Sequence, residues 1–148
     1  MSQVAYNTAK HRLANGSLDL DTDTIKMLLL KATAAGAYDP DLDTVAELLA
    51  VGSVAECDFT NYTRKTLSSL AATQDDTNNR ANVDAANVTW PSAGGVTNNT
   101  PVAAVLYEHV DGTDANDRLI GYYDTNFGTV ATNGGDYTIA IADFLRIT

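Results

Sequence analysis

The chain has one cysteine, two histidines and nine basic residues, and each scarcity closes off a class of function. Cys57 has no partner for an internal disulfide, and a lone cysteine is expected as a small buried hydrophobe rather than a nucleophile. Nine Lys and Arg against 19 Asp and Glu leave a net charge of −10, which argues against nucleic acid as a partner, because phosphates reward clustered cations. No apolar run approaches the roughly 20 residues that a membrane helix needs. The opening MSQVAYNTAKHR lacks the apolar core of a secretory signal, so synthesis and folding in a cytoplasm are expected, with no membrane partner.

Catalytic patterns are equally sparse. His11 falls in a short helix and His109 at a strand end, with no G-x-S-x-G elbow beside either, so no enzyme activity is expected. Gly94-Gly95 and Gly134-Gly135 are followed by no Gly-Lys-Ser/Thr and no predicted helix, so they read as turns rather than phosphate loops. Asp19, Asp21 and Asp23 alternate, as do Asp39, Asp41 and Asp43. Alternation points carboxylates the same way, as a Ca²⁺ site would need, but neither run fits the spacing of a known calcium loop. Both read as solvated loop acids, and no cofactor or metal is expected.

What is present is β-forming. At 148 residues the chain has one domain's length, and 45% of it is hydrophobic. Ile25, Met27 and Leu29 alternate with Leu28 and Leu30, so Thr24 to Lys31 reads as a central strand buried on both faces. Further strands are predicted at Tyr62 to Leu70, Ala86 to Trp90, Val102 to His109, Arg118 to Tyr123 and Tyr137 to Ala142. Asn-, Asp-, Gly- and Thr-rich loops separate them at 74–80, 93–100, 111–117 and 132–136.

Two helices are predicted in the N-terminal half. One runs over Val4 to Ala14 and stops at Asn15-Gly16. The other covers Thr44 to Val51, opened by a Thr44-x-x-Glu47 capping box and closed by Gly52. The expected fold is therefore mainly β: an antiparallel β-sandwich or barrel-like domain over 17–148, with an N-terminal helical segment or arm over 1–16. The aromatics, Trp90, Tyr122 and Tyr123 among them, fit core and cross-strand pairs better than a stacking platform. Adjacent Tyr122 and Tyr123 face opposite ways, so at least one is a candidate for exposure.

Several segments carry a resemblance. Tyr6, Ala9-Lys10, Leu13, Gly16, Leu18-Asp19-Leu20 and Asp23-Thr24-Ile25-Lys26 open the chain in a pattern similar to a family of small tailed-bacteriophage virion proteins. Ala37-Tyr38-Asp39-Pro40-Asp41, Ala86 to Trp90, Ala103 to Tyr107, Leu119 to Asp124 and Asn133-Gly134-Gly135-Asp136 extend the likeness over most of the chain. The resemblance is to capsid decoration (cement) proteins. It implies a β domain on the capsid exterior of the virion, binding the major capsid protein, bridging capsomers and self-associating as a homotrimer. A tail, neck or fibre-base protein of the virion is the alternative, and a carbohydrate- or receptor-binding module using Tyr122, Tyr123 and Trp90 the next. The residues expected at a partner interface are Val4, Tyr6, Leu13, Tyr122 and Tyr123. Val4 to Leu13 is too short to be a stable helix alone, so it packs either on a partner or back on its own domain.

Overall fold

The computed structural model describes residues 3–142 and 144–147. In chain order the elements are β1 (Gln3–Ala5), α1 (Asn7–Ala14), β2 (Ile25–Ala32), a 3-10 turn (Ala35–Tyr38), α2 (Val45–Ala50), β3 (Ala55–Glu56) and β4 (Lys65–Thr66). They continue as β5 (Ala71–Asp75), β6 (Arg80–Asp84), β7 (Val88–Trp90), β8 (Ala103–Glu108), β9 (Arg118–Tyr123), β10 (Tyr137–Ile139) and β11 (Leu145–Ile147). The fold is mainly β, and every strand pairing is antiparallel.

The Leu-rich run forms the centre, as its two-faced pattern requires. In the large sheet β2 lies between β8 on one side and β3 and β4 on the other, and the order continues through β9 to β1 at the far edge. Ile25, Met27 and Leu29 enter one apolar layer with Ala104, Leu106 and Ile120. That layer is closed by Val83, Val88, Trp90, Phe144 and Leu145 from two small sheets, β7–β10 and β5–β6–β11. Leu28 and Leu30 enter the opposite layer with Val105, Tyr107 and Leu119, closed by Tyr6, Ala37, Val45 and Leu48. Each large side chain fully removed from water contributes about 1.5–3 kcal/mol, and β2 supplies five such chains to two layers.

α2 is opened by the predicted box: Thr44 Oγ1 accepts from Glu47 N at 3.2 Å, and Glu47 Oε2 accepts from Thr44 N at 3.1 Å. α1 begins three residues later than expected, because 3–5 pair with Gly121 to Tyr123 as strand β1. Tyr6 marks the change: its N–H donates to Ile120 O at 3.1 Å and its hydroxyl donates to Ala37 O at 2.7 Å. Asn7 N then donates to Pro40 O at 2.8 Å, and Arg12 pairs with Glu108. Residues 3–12 are thus bonded to the β domain along their length.

The predicted strand over Tyr62 to Leu70 shrinks to β4. Ser69 takes a left-handed backbone (φ 54°) and Ser68 O is occupied by Ala86 N, which ends the ladder there. The predicted loop over 74–80 contributes its ends to a β5–β6 hairpin, leaving only a tight turn. Asp75 closes it, accepting from Asn78 N at 3.1 Å and Asn78 Nδ2 at 2.8 Å.

Candidate binding surface

The loops richest in Asn, Gly, Thr and Pro meet at one end of the large sheet. β2 and β9 finish there and β8 begins, since Leu30 pairs with Ala103 and Ala104 with Tyr123. The loops 57–62, 91–101 and 124–136 all leave from this end, and they are bonded to one another rather than left to solvent. Gly94 N donates to Thr60 O at 2.9 Å, Thr60 N to Thr97 O at 3.0 Å, and Thr97 N to Thr60 Oγ1 at 3.0 Å. Thr132 N donates to Asn99 O at 2.9 Å, while Asn99 N donates to Thr132 Oγ1 at 3.0 Å. The two glycine pairs dock: Gly134 N donates to Ala93 O at 2.7 Å and Ala93 N to Gly135 O at 2.8 Å. Asn99 also reaches the third loop, accepting from Asp58 N at 2.8 Å and donating from Nδ2 to Asp58 Oδ1 at 3.0 Å.

Gly94 is where this packing is tightest. Its φ is +89°, and a Cβ there would lie 2.2 Å from Asn98 Oδ1 and 2.8 Å from Thr132 Oγ1. Beneath the loops runs a series of rings. Phe59 meets Tyr62 edge-on at 5.0 Å, Tyr62 stacks on Trp90 at 6.5 Å, and Trp90 meets Tyr137 at 6.4 Å. Trp90 is fully buried and its indole N–H donates to Thr63 O at 2.7 Å. Long irregular loops usually carry function, and these are pre-ordered mostly by neutral bonds, with Asp58 and Asp136 accepting from Asn99 Nδ2 and Ser92 N. Their tips are apolar: Val96 is 93% exposed and Val130 60%.

Beside this platform a groove of about 610 Å³ opens between the large sheet and the segment after β10. Met27 and Leu106 form part of its floor, and Phe127, Val130, Ile139 and Ile141 are among its walls. Tyr123 also lines it, lying back over Gly121, where a Cβ would fall 2.4 Å from the tyrosine hydroxyl. Burial raises the Tyr123 and Tyr137 phenols, so both stay neutral at ordinary pH. The surface offers shape, hydrogen bonds and apolar contact.

The residues expected at an interface are mostly spent inside. Tyr6 and Tyr122 are buried in the layer that α2 closes, Tyr122 sharing a hydrogen bond with Thr33 Oγ1 at 2.8 Å. Leu13 and Tyr123 are half-buried against the other layer. The Val4 backbone pairs with Tyr122, and its side chain lies outside the described structure. Trp90, Tyr122 and Tyr123 form no exposed cluster, which removes the aromatic surface a stacking glycan site would use. Val96, Asn99, Val130 and Thr132 were not singled out by sequence reasoning; the only signal was the density of Asn, Gly and Thr in two distant loops.

The opposite end of the sheet is held by charge. Arg12 pairs with Glu108, and Arg64 reaches Asp114 there, while its other partner, Glu56 at 2.7 Å, lies opposite Leu30 nearer the platform; the guanidinium is 5.6 Å from the Tyr107 ring centre. His109 Nδ1 lies 3.2 Å from Asp117 Oδ2, and the buried Asp117 accepts from Val110 N at 2.8 Å through its other oxygen. The imidazole therefore meets an acid that ties down a loop, and no hydroxyl or thiol is bonded to it among the described residues. The Asp runs cap their own turns: Asp19 Oδ1 accepts from Asp21 N, Asp23 Oδ2 from Asp19 N and Asp39 Oδ1 from Asp41 N. Among the described residues no group of three or more His, Cys, Asp or Glu is placed to hold a metal ion. Cys57 is buried, and burial pushes its thiol up to about 12, far from the range of a reactive thiolate.

Compared with known protein families, with curated proteins and with solved structures, the chain matches none.

Proposed function

We propose that this chain is a non-enzymatic structural protein of a tailed-phage virion, binding the outer surface of the assembled capsid as a decoration protein. The observation that carries the binding part of this reading is the loop platform. It is a pre-ordered, irregular surface with two exposed valines at its tips, built from groups that make contacts rather than perform reactions. The virion part rests on the sequence resemblance, which spans most of the chain. The acidic surface suits an exterior position, where it does not compete for packaged DNA.

The mechanism is mass action on an assembled lattice. A protein that touches two or more capsid subunits at once binds only the finished shell, and every contact it makes stabilises that state against the separated subunits. Pre-ordered loops favour this, because little loop entropy is lost on docking. A homotrimer would match local three-fold positions of such a lattice.

The test is the copy number per particle, by quantitative mass spectrometry of purified virions against the major capsid protein. A ratio near parity is expected. A ratio of a few per cent would move the chain to the tail or neck, and absence from virions would overturn the reading.

A further inference from the structure

We infer that the loop platform, rather than the N-terminal segment, is the face that docks on the shell, and that it fits a cationic protein surface with apolar recesses. The inference rests on the capsid reading above and names the contact surface within it.

Three observations lead there. Among the described side chains of the N-terminal segment, Tyr6 and Ala9 are buried and Leu13 is half-buried within the chain's own layers, so these apolar groups are spent on its own domain. Of the four large hydrophobic side chains exposed among the described residues, Val96 and Val130 both stand on the platform, one on each of two loops bonded to each other. Single exposed valines are ordinary on a protein surface. Two on loops joined by the reciprocal Asn99–Thr132 bonds lose less freedom on docking than they would on free loops.

Charge then selects the partner. The platform carries two exposed carboxylates, Asp58, paired with Lys31, and Asp136, which accepts from Ser92 N at 2.9 Å. Two copies meeting platform to platform would set these carboxylates against each other on chains of net charge −10. A second copy is therefore disfavoured at this face, and a surface bearing Lys or Arg around apolar dimples is favoured. Any self-association uses another part of the molecule.

The experiment measures binding of the full chain to purified, expanded shells lacking it, by co-sedimentation over a range of salt. The double variant Val96→Asp with Val130→Asp is compared with Val110→Asp, an exposed valine in the loop at the opposite end. All three substitutions are at exposed positions, and circular dichroism with thermal melting verifies that each variant folds. The expected result is at least a tenfold loss of affinity for the double variant and none for Val110→Asp, with wild-type binding weakening as salt rises. Equal binding by the double variant and wild type would overturn the platform inference and leave the capsid reading standing. Salt-independent wild-type binding would overturn the cationic partner. No binding by the wild-type chain would overturn the capsid reading and this inference with it.

Discussion

The two ends of the large sheet are fastened by different chemistry. Where β2 begins and β8 finishes, loops are tied by ionisable groups: Arg12 to Glu108, His109 to Asp117, Arg64 to Asp114. Where β2 finishes and β8 begins, three loops are tied mainly by amides and hydroxyls: Gly94 to Thr60, Asn99 to Thr132, Gly134 to Ala93. Ion pairs act over distance but weaken with salt and with pH, whereas neutral bonds to backbone depend on close fit and little else. The lesson is a division of labour. The charged end clamps the N-terminal segment and α2 onto the sheet, and the other end holds its loops largely by neutral bonds. The exceptions there are Asp58, paired with Lys31 and bonded to Asn99, and Asp136, bonded to Ser92 N; the exposed Lys31–Asp58 pair contributes little.

The comparison is broken most severely by adding one carbon to each end. Gly94→Ala meets Asn98 and Thr132 at a positive φ and should cost about 2–4 kcal/mol from strain and overpacking together. Gly112→Ala, at φ +83° with its nearest neighbour 3.6 Å away, should cost about 1–2 kcal/mol from backbone strain alone. Urea unfolding of the two variants measures the difference, and equal losses would mean that the platform is not close-fitted.

A smaller contrast comes from single polar groups. Asp114→Asn keeps an oxygen for Arg64 but loses the charge facing its guanidinium, so its cost, about 1 kcal/mol, should shrink in high salt. Thr132→Val removes the hydroxyl that serves Asn99 and should cost about 1 kcal/mol at any salt. Unfolding in low and high NaCl separates the two.

Acid sharpens the comparison further. The Asn116 side chain and the Thr113 amide hold Asp111 below the usual carboxylate range, and Lys31 followed by Asn99 does the same for Asp58. A carboxylate whose folded pKa is depressed lends stability above its unfolded value, about 4, and loses it as pH falls through the folded value. Below pH 4 the Thr113 amide, bonded to Asp111, should lose exchange protection. The Asn99 amide, bonded to Thr132 Oγ1, should keep it, because its acceptor does not titrate. Amide exchange followed by NMR reads both. Arg12→Met would leave the largely buried Glu108 carboxylate without its two-point partner and should cost about 3 kcal/mol, read by the same urea unfolding.

Much of the scaffold was legible because it follows periodicity and capping. The alternation of Ile25 to Leu30 gave a strand buried on both faces, Arg118–Tyr123 was bounded correctly, and the Thr44–Glu47 box opens α2. Where the pattern was polar it was unreadable: β5 exposes Ala71 to Gln74 and has no apolar alternation to announce it. Tyr6 read as one face of a helix, whereas a strand ends just before it and its hydroxyl is fixed by Ala37, a contact no local pattern encodes. The platform was legible only in pieces. Gly94-Gly95 and Gly134-Gly135 read correctly as turns, but their docking is a tertiary event between loops distant in sequence.

The most direct test of this account is amide hydrogen exchange on the protein free and bound to shells. The account predicts new protection in 91–101 and 124–136 on binding, with 109–117 unchanged. Protection confined to 109–117 or to the N-terminal segment, with the platform exchanging as in the free chain, would contradict it.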